Sequence, residues 1–128
     1  MDKVEILILR NLLFNEEYLR KVIPFIKADY FEDPHQKVLF EEILNFVNEY
    51  NQPTTKEVLY IEVEKRQDIT DTSFQEITKL ISYLEDVPSD YEWLLNTTET
   101  WCKDRAIYLA LIESIALADG KDETKDRG

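Results

Sequence analysis

Glycine is nearly missing: two occur in 128 residues, Gly120 and Gly128, and none between Met1 and Asp119. A loop that cradles phosphate needs glycine, because backbone N–H groups must reach the anion with no Cβ in the way. A nucleotide-binding P-loop and a dinucleotide fingerprint are therefore excluded over that span. Four prolines (Pro24, Pro34, Pro53, Pro88) complete a short supply of chain-reversing residues. A β-sandwich or barrel needs more of them; helices need few. One cysteine, Cys102, allows no internal disulfide, and its place in an expected helix makes it a buried, inert thiol. With His35 as the only histidine, no zinc set of clustered Cys and His can form, and the Glu-x-x-His pairs of a diiron bundle are absent. His35 itself is expected to face solvent. The apolar stretch Val4–Leu9 is broken by Glu5 and followed by Arg10, so no export signal is visible, and no run approaches the about 18 residues of a membrane span; a cytoplasmic protein is expected.

Positive charge is also scarce. Fifteen basic residues against 27 acidic ones give a net charge of −12. That field repels phosphate backbones, so little direct DNA binding is expected, and no membrane contact. Carboxylate pairs such as Glu16–Glu17, Glu41–Glu42 and Glu62–Glu64 fall on faces assigned to solvent, where nothing tunes them for acid–base work. Ser73 and Ser82 lack a second histidine or a lysine to activate them. No catalytic, cofactor or metal site emerges.

What the chain has is apolar periodicity. With 44% hydrophobic and 12% aromatic residues, spacings of three and four recur along most of its length, the signature of amphipathic helices. The first helix spans Lys3–Phe14 with Val4, Leu7, Ile8 and Leu12 inward. Asn15 caps a short second helix whose buried side is Tyr18, Leu19, Val22 and Ile23. Asp33 and Pro34 open a third, with Gln36 completing a capping box and Val38, Leu39, Ile43, Phe46, Val47 and Tyr50 as its stripe. Thr54 with Glu57 opens a fourth through about Arg66, with Val58, Leu59 and Val63 inward. Gln67–Thr72 reads as a turn, and Phe74, Ile77, Ile81 and Leu84 mark a fifth helix. Ser89 with Glu92 opens the longest, about Asp90 to Ala118. The expected fold is all-α: a compact bundle of about five helices over 1–88, a long helix over 89–118 and a disordered tail, 119–128.

That last helix would be about 40 Å long, against a globule about 30–35 Å across. One end should protrude. Leu94, Thr98, Trp101, Arg105, Tyr108, Ile112 and Ile115 form a heptad-like seam along it, flanked by Leu95, Cys102, Ala106, Leu109 and Ala116. This apolar surface is broader than one seam needs. Either all of it faces the globule, or its C-terminal half meets a partner. Leu94, Trp101, Arg105, Tyr108, Ile112 and Ile115 are the candidate interface residues, since Trp, Tyr and Arg dominate interface energetics.

In order and spacing, several short stretches resemble the N-terminal domain of DnaB-like replicative helicases, most closely the branch found in T-even-type bacteriophages. They are Leu12-Leu13-Phe14-Asn15, Tyr30-Phe31, Lys37-Val38-Leu39-Phe40, Asn48-Glu49-Tyr50 with Pro53-Thr54, and Leu80-Ile81-Ser82 with Leu84 and Pro88. Trp93-Leu94, Thr98-Glu99 and Arg105-Ala106 on the long helix are the most specific. Many bacterial relatives place a histidine directly before the basic residue that Lys37 matches; here Gln36 stands there. The resemblance implies a non-catalytic helical globule followed by the first arm of a helical hairpin. Such domains pair through hairpins, as a dimer or a trimer of dimers, into a collar on a hexameric ring, and they dock primase; a helicase loader is a further candidate partner. ATP and magnesium would belong to a separate downstream motor domain. The sequence departs from the full family protein in showing neither that domain nor a second hairpin arm, which suggests an excised or truncated piece. The competing reading is a free-standing acidic helical adaptor or inhibitor that binds a basic protein surface. A Gly-rich Lys-Ser/Thr loop encoded downstream would decide for the helicase.

Overall fold

The computed structural model describes the backbone of residues 3–127 and the side chains of residues 3–120. Among the described residues there are six α-helices and no strand: α1 (Lys3–Phe14), α2 (Glu16–Val22), α3 (Pro34–Tyr50), α4 (Lys56–Lys65), α5 (Asp71–Tyr83) and α6 (Tyr91–Arg127). Short 3-10 turns at Ile23–Phe25 and Ala28–Tyr30 join α2 to α3.

The middle of the bundle is α1. Ile6, Leu7, Ile8, Leu9, Leu12 and Leu13 are all buried, because α2, α3 and α6 pack around this one helix. A helix apolar on every side belongs inside. The four inward residues expected from periodicity understate this. Val4 is only half-buried, while Ile6, Leu9 and Leu13 join the core. The buried Asn11 is satisfied locally, its Nδ2 donating to Leu7 O at 2.8 Å.

Caps set the helix starts. Asn15 accepts from Tyr18 N at 3.0 Å, and Asp33 Oδ1 accepts from His35 N at 2.7 Å and Gln36 N at 3.2 Å. Both agree with the sequence. Gln36 does not complete its box: its side chain turns inward and is buried, so no reciprocal bond to Asp33 forms. Two other caps sit one residue later than expected. Thr55, not Thr54, accepts from Val58 N, and Asp90, not Ser89, accepts from Trp93 N at 2.9 Å. Thr70 caps α5, so that helix begins at Asp71, inside the expected turn. Asn51 ends α3 in the left-handed region, with φ 53°, and its carbonyl and side chain both accept from the Arg20 guanidinium.

The third helix buries Leu39, Phe40 and Ile43. Phe40 was not in the expected stripe, and Tyr50, which was, is exposed at the helix end. Between α3 and α4 the Arg66 guanidinium binds Glu42 at 2.9 Å, Glu41 at 3.3 Å and Asp68 at 2.7 Å. Glu42 is thus mostly buried in an ion-pair cluster rather than lying on a solvated face. These hydrogen-bonded pairs push the Arg66 pKa above the ordinary arginine range and hold the Asp68 carboxyl below its ordinary value.

Candidate protein interface

Three turns of α6 root it in the globule. Leu94 and Thr98 are fully buried and Trp101 is 8% exposed. Trp101 packs edge-on to Tyr30 (centroids 5.9 Å apart) and tilted on Phe31 (5.0 Å), which in turn packs on Phe40 (5.2 Å). Such aromatic pairs favour edge-to-face and offset geometry. Thr98 Oγ1 donates to Leu94 O at 2.8 Å, leaving its oxygen to accept from the buried Tyr18 hydroxyl at 2.7 Å. Burial pushes the Tyr18 phenol up, well above its ordinary range. Burial also raises the half-buried Cys102 thiol to about 11, which fits the inert reading.

Arg105 closes the root. Its Nε donates to Tyr30 O at 2.6 Å, and its guanidinium lies 4.9 Å from the centroid of the Tyr108 ring, a cation–π contact. Beyond Leu109, which still touches the core, every residue from 110 to 120 is exposed. The helix has left the body. At 37 residues it is about 55 Å long. It continues past Ala118 because nothing stops it: Gly120 does not adopt a left-handed cap, and an isolated glycine in a helix costs only about 1 kcal/mol. The tail expected to be disordered, 119–128, falls largely on residues whose side chains lie outside the described set, and Gly128 lies outside it altogether.

The six candidate residues therefore divide. Leu94 and Trp101 face the globule, Arg105 joins body to arm, and Tyr108, Ile112 and Ile115 lie on the arm. Together with Ile107, Leu111 and Leu117 these last three are 45–62% exposed. Ile107, Leu111 and Leu117 escaped the sequence reading because a heptad seam follows one line, whereas a helix clear of its body exposes all sides. The signal was present in another form: between Ala106 and Ala118 the sole charge is Glu113. A helix of that composition is ordinarily buried, and an exposed apolar patch of this kind marks an interaction surface.

Among the described residues, no group of three or more His, Cys, Asp or Glu is placed to hold a metal ion, and no helix is long and apolar enough to cross a membrane. What the structure presents is an all-helical domain with a projecting arm. A profile of the DnaB-like helicase N-terminal domain matches residues 2–94, and the chain belongs to that family. It is 33% identical over 111 residues to a DnaB-like replicative helicase of Enterobacteria phage T4. That match covers 87% of this chain but only 23% of the phage protein. The family profile ends at Leu94, in the first turn of α6, so the arm lies beyond it.

Proposed function

We propose that this chain is the ring-assembly module of a hexameric replicative DNA helicase, acting in the cytoplasm, and that it docks primase at the replication fork. The carrying observation is the arm from Ala106 to Ala118, which has one charged residue and, beyond Leu109, no cover from its own body. Apolar surface in water is unfavourable by roughly 25 cal/mol per Å², so a second helix, from the same hairpin or a neighbouring subunit, belongs on it. The breadth of the apolar surface suits two neighbours rather than one. ATP hydrolysis with magnesium falls to a motor domain elsewhere in the full protein, since the glycine-free body offers nowhere to hold a triphosphate. A helicase loader would use the same kind of exposed helical surface. The acidic-adaptor alternative rests on the −12 charge alone, which the arm does not need.

Sedimentation velocity over a concentration series, run with and without the cognate primase, tests the proposal. Concentration-dependent association and a co-sedimenting primase support it. A strictly monomeric chain at micromolar concentration that ignores primase overturns it.

A further inference from the structure

Two lines of side chains run along α6, and only one is open over its whole length. Trp101, Arg105, Tyr108, Ile112 and Ile115 form the first. It runs into the body, since Trp101 is buried and Arg105 half-buried. Thr100, Asp104, Ile107, Leu111, Ser114 and Ala118 form the second, at spacings of four and three that keep them on one side of the helix. All six are exposed. Bulk is spread unevenly along this second line: Ile107 and Leu111 stand near the body, Ser114 and Ala118 toward the tip. The Ser114 hydroxyl already donates to Ala110 O at 2.9 Å, so an apolar group laid over it strands no donor.

We infer that this second line pairs with the same line of a second copy running in the opposite direction, Ile107 against the partner's Ala118 and Leu111 against the partner's Ser114. The inference rests on the reading that copies meet at the arm, and adds their direction and register. At each level a bulky residue then faces a small one, which closes the seam to the density of a protein interior. Two-fold symmetry makes each contact occur twice. On one flank Leu117 falls across from the partner's Ala110, again large on small. A parallel pair would set Ile107 on Ile107 and Ala118 on Ala118, crowding the base and leaving a gap toward the tip. It would also bring two chains of net charge −12 side by side, whereas opposed arms hold the bodies at opposite ends. The body does not block the partner's tip as it passes Ile107, because Asp104 and Thr100 beneath are open as well. The first line stays free for a further neighbour.

Single-cysteine chains test the direction. In a Cys102→Ala background, Ile107→Cys and Ala118→Cys chains, one of them ¹⁵N-labelled, are mixed and gently oxidised, and the disulfides are read by mass spectrometry. Opposed arms bring position 107 beside the partner's position 118. Like positions then stand eleven residues apart along the axis, about 16 Å, which is beyond disulfide reach. The mixed disulfide should exceed either symmetric one about tenfold. Ser114→Leu tests the register: it should weaken association about tenfold by colliding with the partner's Leu111. Adding Leu111→Ser to it should restore the original affinity, and circular dichroism melts check that both variants fold. Ile112→Asp, on the first line, should keep the mixed disulfide and lose only the further association. Symmetric disulfides in a chain that still associates would overturn the opposed pair and leave ring assembly standing. Tighter association of Ser114→Leu would overturn the register. A chain that sediments as a monomer and forms no disulfide would overturn both this pair and the arm as a meeting point.

Discussion

The hydroxyl of Tyr18 on α2 donates to Thr98 Oγ1 on α6 at 2.7 Å, and the Thr98 hydroxyl in turn donates to Leu94 O at 2.8 Å. This buried chain ties the root of the long helix to a residue 80 positions earlier. Its direction makes the two ends unequal. Tyr18→Phe removes a donor but leaves Thr98 bonded to Leu94 O, and should cost about 0.5–1.5 kcal/mol. Thr98→Val strands the Tyr18 hydroxyl in the core and should cost about 1–3 kcal/mol. Adding Tyr18→Phe to Thr98→Val should restore part of that loss, because the stranded donor is gone. Urea titrations of the three variants check the order; a costlier Tyr18→Phe would contradict the assigned direction.

Alkaline pH acts on the same region. An unfolded tyrosine ionises near 10.0, whereas folded Tyr18 keeps its proton to higher pH because burial penalises the phenolate. Above pH 10, then, unfolding releases a proton and stability falls as pH rises, by about 1.4 kcal/mol per unit at most for one group. Cys102, raised from 9.0 to about 11 by burial, starts a shallower decline near pH 9. Below pH 9 neither group gives a pH dependence. Melting curves from pH 8 to pH 11 should show the fall, with Tyr18→Phe removing its steeper part and Cys102→Ala its onset. At pH 8 Cys102 should also react slowly with a thiol reagent, since little thiolate is present.

Helix starts offer a sharper check of register. Asp90 caps α6, one residue past the Ser89 that a capping-box pattern selects. Asp90→Ala should therefore cost about 1 kcal/mol, while Ser89→Ala should change stability by less than about 0.5 kcal/mol. Thermal melts of the two variants separate the assignments, and a larger loss at Ser89 would restore the earlier one.

The two misplaced caps show where local sequence stops deciding. Thr54 and Thr55 are chemically equivalent caps, as are Ser89 and Asp90 nearly so. The pattern of a serine or threonine three residues before a glutamate picks the first of each pair. Packing picks the second: Thr54 is buried among the helices, which leaves Thr55 free to reach Val58 N. Where one strong cap stands alone, as Asn15 and Asp33 do, the sequence is sufficient. Helix type was legible throughout because spacing records it. The division of α6 was not, since a continuous seam from Leu94 to Ile115 carries no mark of where the globule ends. That point is set by the height of the Tyr30–Phe31–Trp101 cluster and by Arg105 reaching Tyr30 O.

That division makes the seam separable by mutation. Trp101 fills the aromatic cluster, so Trp101→Ala should destabilise the domain by about 3–5 kcal/mol, through lost burial and the cavity left behind. Ile112, 45% exposed on the arm, has little packing to lose, and Ile112→Asp should leave the melting temperature of the dilute chain unchanged. Its effect should fall on association: an aspartate in the middle of the apolar arm would have to be buried without a partner charge, which is strongly unfavourable. Circular dichroism melting and sedimentation velocity on the same two samples read both quantities. Normal association of a well-folded Ile112→Asp chain would show that the arm is not where copies meet.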